Sequence, residues 1–255
     1  MSSQTNLVSI ITPTGNREQF LKLQYENILN QTYTNWEWLI LGDSVHISPF
    51  FFSLEDSRVK YHVTDKSLAI GSKRNWLIER ATGTIIASFD DDDYYSPNYL
   101  EVMINELAQG YQFVKLTSFY IHSLSLKKSA YWDLTLKNGY FHILDRDKEE
   151  CVKWDSFDEN NSNEYGWGFS YVYFRSVFAL GKYADHQYVD DYPFIEAALN
   201  AGIKVRFLQD TKGLMVHILH SHNCSRCFPQ YIIPEFMLKE KIPGIAKYLE
   251  LPACI

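Results

Sequence analysis

The chain has 255 residues, a formal net charge of -7 and 46% apolar residues. That is enough apolar material for a sizeable core in one compact domain. The acidic balance excludes the basic footprint of a general nucleic-acid binder, and no apolar run is long enough to span a bilayer.

The polar start, Met1 to Asn6, lacks the charged-then-apolar plan of a signal peptide, so a cytoplasmic protein is expected, soluble or peripherally membrane-associated. Leu7 to Thr12 is an apolar, β-rich run and predicts a buried strand. Arg17 to Asn30 has helical spacing, with Leu21, Tyr25, Ile28 and Leu29 on one face. Trp36 to Leu41 and Val59 to Val63 read as strands, and Ile70 to Ala81 as a helix that stops near Gly83. Thr84 to Phe89 is another buried strand, and the run Asp90-Asp91-Asp92-Asp93 follows it. Ser96 is expected as the N-cap, with Pro97 in the first turn, of a helix that turns Leu100, Met103, Ile104, Leu107 and Ala108 to one side. Further on, Tyr111 to His122 is strand-like, and Asp155 to Gly168 reads as a long polar loop. Phe169 to Phe174 reads as a strand, Pro193 to Ala201 as a helix closed by Gly202, and Ile203 to Leu208 as a strand. Pro234 to Leu251 reads as one or two short helices whose apolar positions pack on the core, contact with a membrane or partner being the alternative.

Strands alternating with helices predict an α/β fold with a mainly parallel central sheet flanked by helices. Such sheets bind ligands beyond the carboxyl ends of their strands. Three polar clusters fall there: Thr12 to Arg17, Gly42 to Ser44, and Asp90 to Asp93.

Clustered carboxylates repel one another unless a cation compensates, and magnesium or manganese often bridges carboxylates to substrate phosphates. Alone, the aspartate run reads equally well as a solvated acidic turn. Gly71-Ser72-Lys73-Arg74-Asn75 places a glycine and two cations near a helix start, which suits phosphate; a solvated helix turn is the plainer reading. Asp190 and Asp191 precede Pro193, where aspartate commonly caps a helix; one of them is the candidate general base. The run from His217 to Cys227 is dense in His and Cys, but its spacing matches no standard zinc finger. One histidine joining an aspartate-bound metal is the better expectation, beside histidines with no ligand role. The cysteines, Cys151, Cys224, Cys227 and Cys254, are too scattered for a disulfide framework and are expected as reduced thiols.

In this order the pieces resemble the inverting family-2 glycosyltransferases of the GT-A fold. Val8 to Arg17 resembles that family's first strand and nucleotide-facing loop. Ile28 to Glu37 is similar to its "LNQTY-x-N-aromatic-E" stretch, and Leu41 to Ser44 sits where the family has "VDDGS". Lys73-Arg74-Asn75 matches "ARN", Phe89 to Glu101 matches "LD-x-DD-x-x-x-P-x-x-LE", Asp190-Asp191-Tyr192 matches the "ED" region, and His220 to Ser225 resembles "HGGNTS". Two positions depart: Gly15 replaces an aromatic, and Gly42 replaces the first Asp of "VDDGS".

The resemblance implies one Rossmann-like GT-A domain over residues 1–255: a donor half at 1–110, an acceptor half at 111–232 and a helical tail at 233–255. It implies a nucleotide-sugar donor, UDP-sugar favoured, and a glycan, lipid-linked or protein acceptor. Thr12, Pro13, Thr14 and Asp43 would line the nucleotide pocket, and Lys73, Arg74, Asp90 and Asp91 would face the donor. A divalent cation, Mn2+ or Mg2+, would sit on Asp92 and His220, with Asp90 and His222 as lesser candidates. Asp191 would be the catalytic base, and Trp167 and Asp190 would meet the acceptor. The rival classes are a nucleotidyltransferase, which would show a glycine-rich basic loop after the first strand, and a catalytically silent sugar- or nucleotide-binding module.

Overall fold

The computed structural model describes residues 6–15, 17–43, 49–157, 162–223 and 225–252. The elements run β1 (Val8–Thr14), α1 (Glu18–Leu29), β2 (Trp36–Gly42), α2 (Pro49–Phe52), β3 (Val59–Val63), α3 (Ile70–Arg80), β4 (Ile85–Ser88), β5 (Tyr94–Tyr95) and α4 (Tyr99–Ala108). They continue with β6 (Phe113–Leu116), β7 (Ser118–Ser123), β8 (Lys128–Asp133), β9 (Gly139–Asp145), β10 (Lys148–Trp154), α5 (Ser162–Tyr165), β11 (Val172–Phe174), α6 (Tyr192–Asn200) and β12 (Val205–Leu208). The chain closes with β13 (Met215–Leu219), β14 (Tyr231–Ile233), α7 (Glu235–Lys241) and α8 (Ala246–Leu249).

The central sheet has the order β12-β6-β11-β4-β1-β2-β3. Strands β1 to β4 are mutually parallel, and β11 alone runs antiparallel, between β4 and β6. Every residue of β1, β2 and β4 is buried, as expected for a parallel sheet covered on both faces, and their sequences are correspondingly near-continuous apolar runs. The mainly parallel α/β sheet flanked by helices agrees with the sequence reading. A second sheet, β14-β8-β7-β13-β5, and the hairpin β9-β10 extend the molecule past the strand ends of the first.

Four expectations need correction. Tyr111 to His122 is two strands in two sheets. The break is at Thr117, whose N–H donates to Leu208 O at 2.8 Å and whose carbonyl accepts from Leu134 N at 2.8 Å, passing the chain from one sheet to the other. Ser96 is not an N-cap. Pairing of β5 with β13 keeps the chain extended to Tyr95, the Ser96 N–H is taken by Leu214 O, and the helix starts only at Tyr99. Of the strand expected from Phe169, only Val172–Phe174 is a strand, because Gly168–Ser170 forms a 3-10 turn. The long loop before it contains α5.

The carboxyl-terminal helices pack as expected. Leu238, Ile242, Ile245, Tyr248 and Leu249 are buried with Tyr94, Tyr120, Val216 and Ile218. Phe236 and Met237 remain exposed. Among the described residues no helix is long and apolar enough to cross a membrane.

Candidate active site

Strand β4 delivers the four aspartates to the carboxyl edge of the parallel sheet. Asp90 keeps 28% of its side chain exposed, whereas Asp91, Asp92 and Asp93 are buried. Asp91 accepts from Thr14 Oγ1 at 2.6 Å and from Arg17 Nη1 at 3.2 Å. Asp92 Oδ2 is met by Arg17 Nη1 at 2.7 Å, His220 Nε2 at 3.0 Å and Asn223 Nδ2 at 3.4 Å. Asp93 Oδ1 meets His217 Nδ1 at 2.8 Å and accepts from Ile218 N at 3.0 Å, while its buried Oδ2 has no partner. Burial pushes Asp91 and Asp93 up to about 7, against the pull of Arg17 and His217 respectively. Burial also acts upward on Asp92, but Arg17 and His220 outweigh it and hold that carboxyl well below the ordinary range. On His217 burial is outweighed by Asp93, which raises the imidazole well above its usual value.

Helix α1 braces this loop with buried amides. Gln24 Nε2 donates to Asp90 O at 2.5 Å, and Gln24 Oε1 accepts from Asn27 Nδ2 at 2.9 Å. Asn27 also reaches Tyr248 Oη at 2.6 Å, and Gln31, just past the helix, donates from Nε2 to Ser96 O at 2.8 Å. Polar residues on a buried helix face are costly unless bonded, so these amides act as braces for the backbone around the aspartates.

Lys73 and Arg74 in the first turns of α3 are both buried and both paired. Lys73 Nζ bonds Asp43 Oδ1 at 2.7 Å and Thr14 O at 2.8 Å. Arg74 forks, with Nη1 on Asp190 Oδ2 at 2.5 Å and Nη2 on Asp90 Oδ1 at 3.0 Å. Burial raises Asp190 to about 6 in spite of Arg74, with neighbouring Asp191 adding to the rise. Asp191 is half-buried; its Oδ1 caps α6 through Tyr192 N at 2.8 Å, and its Oδ2 accepts from Gly168 N at 2.6 Å. A Cβ on Gly168 would stand 2.9 Å from Asp191 Cβ, so this close approach needs glycine. Trp167 before it has φ 68, a left-handed conformation unusual for a bulky residue. Gly42, the departure in the "VDDGS" position, also has a local reason: a side chain there would meet Tyr61 Oη at 2.9 Å.

Two cavities of about 290 Å³ each flank the aspartates. One is lined by Arg74, Asp90, Asp92, Trp167, Asp190 and Asp191, among others. The other is lined by Pro13, Thr14, Lys73, Asp91 and His222, among others. Arg17, Ile70 and Gln187 belong to both linings. A larger groove of about 790 Å³, beside Glu79, Arg175 and Lys182, contains none of the expected site residues.

The expected residues therefore converge, with exceptions. Thr12 is fully buried and accepts from Trp38 Nε1 at 2.9 Å, lining neither cavity. His220 is buried behind Asp92. Asn16, Ser44, Cys224 and Cys254 lie outside the described residues. Cys151 and Cys227 are free thiols, and Cys227 is buried beside His217. Among the described residues, the cluster with metal-ligand spacing is Asp90, Asp92 and Asp93, each offering an oxygen within 4.8 Å of the others. The all-oxygen set and the orphaned Asp93 Oδ2 fit a hard divalent cation. Sequence reasoning assigns no site role to Arg17, Gln24, Asn27 or His217. Arg17 has a signal there as the last residue of the first polar cluster and His217 as the first of the His/Cys run, whereas Gln24 and Asn27 have none.

Residues 9–154 match the family described as Glycosyl transferase family 2. Among curated proteins, the UDP-Glc:alpha-D-GlcNAc-diphosphoundecaprenol beta-1,3-glucosyltransferase WfgD of Escherichia coli is 37% identical over 106 residues. That match covers 41% of this chain and 42% of WfgD, so the chain matches less than half of that relative's length. Staphylococcus aureus TarS 1-349 in complex with UDP-GlcNAc superposes with a TM-score of 0.60 at 15% identity, covering 94% of this chain and 66% of that one. The mannosyltransferase PcManGT from Pyrobaculum calidifontis, in complex with GDP-Man and Mn2+, gives 0.57 at 15% identity, over 85% and 57%. These structures share the GT-A fold with this chain.

Proposed function

The chain belongs to glycosyl transferase family 2, and we propose that it moves a sugar from a nucleoside-diphosphate donor, a UDP-sugar by preference, to an acceptor hydroxyl with inversion at the anomeric carbon. The observation that carries this reading is one cavity faced by both the Asp90–Asp92 edge of the aspartate run and the Asp191 carboxylate. A donor held at the aspartates and a base at Asp191 would share that one space, as a one-step displacement requires.

Asp191 is the base rather than Asp190. The Asp190 carboxylate is buried and held by Arg74 at 2.5 Å, whereas Asp191 is half-buried and positioned by two backbone N–H groups. Each of those bonds occupies one lone pair, so either oxygen can still take the acceptor's proton. Lys73 and Arg74 hold positive charge where the leaving diphosphate collects its negative charge. Asp90, Asp92 and Asp93 would hold Mn2+ or Mg2+, with His220 orienting Asp92 from behind. When bound, that cation supplies Lewis-acid stabilisation of the leaving group. Trp167 offers an aromatic face to the acceptor, whether glycan, lipid-linked or protein; WfgD, by its name, acts on a diphosphoundecaprenol-linked sugar, which favours the lipid-linked class. A nucleotidyltransferase is disfavoured because only Gly15 and Arg17 represent the expected glycine-rich basic loop.

Asp191→Asn is expected to lower transfer by roughly a thousandfold while calorimetry with UDP and Mn2+ shows unchanged donor-side binding. Normal turnover in that variant would sink the assignment of the base.

A further inference from the structure

Of the three residues common to both cavities, Arg17 also neutralises the aspartates. Arg17 Nη1 bridges Asp91 Oδ1 at 3.2 Å and Asp92 Oδ2 at 2.7 Å, and Nη2 donates to His222 O at 2.8 Å. Its side chain is 21% exposed, whereas the two carboxylates are each 3% exposed. Arg17 therefore reaches the aspartates from the solvent side and lies in the wall common to both cavities.

We propose that Arg17 is the resident counter-cation of the donor site, a positioning residue that yields Asp92 to an incoming divalent cation with its nucleoside diphosphate. This rests on the reading that Asp90, Asp92 and Asp93 hold the cation. Asp92 Oδ2 already meets three nitrogens, from Arg17, His220 and Asn223. A cation on that oxygen must displace one of them. Arg17 alone among the three carries a fixed positive charge, so it is the one a divalent ion repels. It also has an exit to solvent, whereas His220 is 1% exposed and the half-buried Asn223 is tied into the turn, its Oδ1 accepting from His220 N. Until a cation arrives, the guanidinium keeps two adjacent buried carboxylates from facing each other uncompensated. Once displaced, it stands next to a diphosphate, for which its planar fork is well suited. Its departure also widens the boundary between the two cavities, which it shares with Ile70 and Gln187.

Competition and support make separable predictions. Arg17→Gln is expected to bind Mn2+ alone about tenfold more tightly than the wild type, read from free Mn2+ by electron paramagnetic resonance. Its metal-free Tm should fall by about 5 °C and recover on adding Mn2+. Arg17→Lys retains a competing cation and should show near wild-type Mn2+ affinity. Asp92→Asn should lose Mn2+ binding in either background. In the wild type, the Arg17 Nε–H resonance, assigned by its loss in Arg17→Lys, should shift when Mg2+ and UDP are added together. Equal or weaker Mn2+ binding by Arg17→Gln, or an Arg17 resonance unmoved at saturating Mg2+ and UDP, would overturn the proposal while leaving the metal site intact. If wild type and variants all fail to bind Mn2+ with UDP present, the metal reading fails and this inference with it.

Discussion

The two walls of the cleft are built to different standards. On the donor wall three of the four aspartates are buried, each with directed partners, and α1 braces the backbone beneath them. On the acceptor wall Asp191 is half-buried, Tyr188 is 67% exposed and Val189 51% exposed, and the buried Trp167 Nε1 has no hydrogen-bond partner. Preorganisation stabilises a transition state where charge develops, and in the proposed reaction that charge develops on the leaving diphosphate. The acceptor contributes a hydroxyl and a shape, and its wall is finished by what binds there. In the proposed reaction the rigid wall serves the leaving group, and the looser wall carries the base and the choice of acceptor.

Arg74 ties the walls together with a charge on each side, so its loss should have the largest effect. Arg74→Met leaves Asp90 and the buried Asp190 without their shared cation. Breaking such a buried pair costs about 3–5 kcal/mol, to be read from the urea midpoint. UDP binding and transfer should fall together. A variant that lost transfer but kept its stability and UDP binding would show that the walls act independently, and the comparison would break.

The same contrast decides what could be read without a structure. The donor wall comes from βα units whose strands are continuous apolar runs, so β1 to β4 and the three polar clusters at their ends stand out in order. Strand β8 and the hairpin β9-β10 gave no comparable signal. Their turns place Lys127 and Arg146 at φ 51, where glycine or asparagine would have announced a reversal. Thr117 looks like any strand residue, and only the partners on either side show that it changes sheets. In the site, Lys73, Arg74 and the aspartates were legible as charge clusters. Gln24 and Asn27 were not, because a buried amide and a surface amide look alike until the packing is known. His217 and His220 lie in one dense run that does not tell them apart, and only β13 shows that His217 faces Asp93.

If the donor wall is the rigid one, acid should attack the sheet that carries it. Glu37 on β2 accepts from Ser9 Oγ at 2.6 Å, Thr82 N at 2.6 Å and Lys60 Nζ at 2.6 Å, joining three neighbouring segments. Burial acts to raise its carboxyl, but these donors outweigh burial and lower it from 4.5 to about 2. A depressed carboxylate lends its full stability above its unfolded value and loses it as protons bind in the folded state. The loss should run from about pH 4.5 down to about pH 2 and reach on the order of 3 kcal/mol. Asp91 and Asp93 have the opposite sign: raised in the fold, they favour it increasingly as pH drops from about 7 towards 4. The difference in stability between wild type and Glu37→Gln, followed by chemical unfolding, isolates the first effect. A difference that stayed constant between pH 4.5 and 2.5 would mean that Glu37 does not hold the sheet.

Gln24 tests the bracing at its finest. It is fully buried, contacts no cavity, and touches the site only through Asp90 O and Asn27. Gln24→Met keeps the volume but takes from that carbonyl its bond to Gln24 and from the Asn27 amide one of its acceptors, at a cost of about 1–2 kcal/mol. Because the lost bond fixes the backbone of the first aspartate, UDP binding with Mn2+ should weaken by a few-fold. Acceptor KM should stay unchanged, since no acceptor-wall residue bonds to Gln24. Paired with Asp191→Asn, the variant should give additive losses, as sites on separately built walls do. Strong non-additivity, or a change in acceptor KM, would mean that the aspartate backbone also sets the acceptor wall, and the division into rigid and loose walls would have to be redrawn around Arg74.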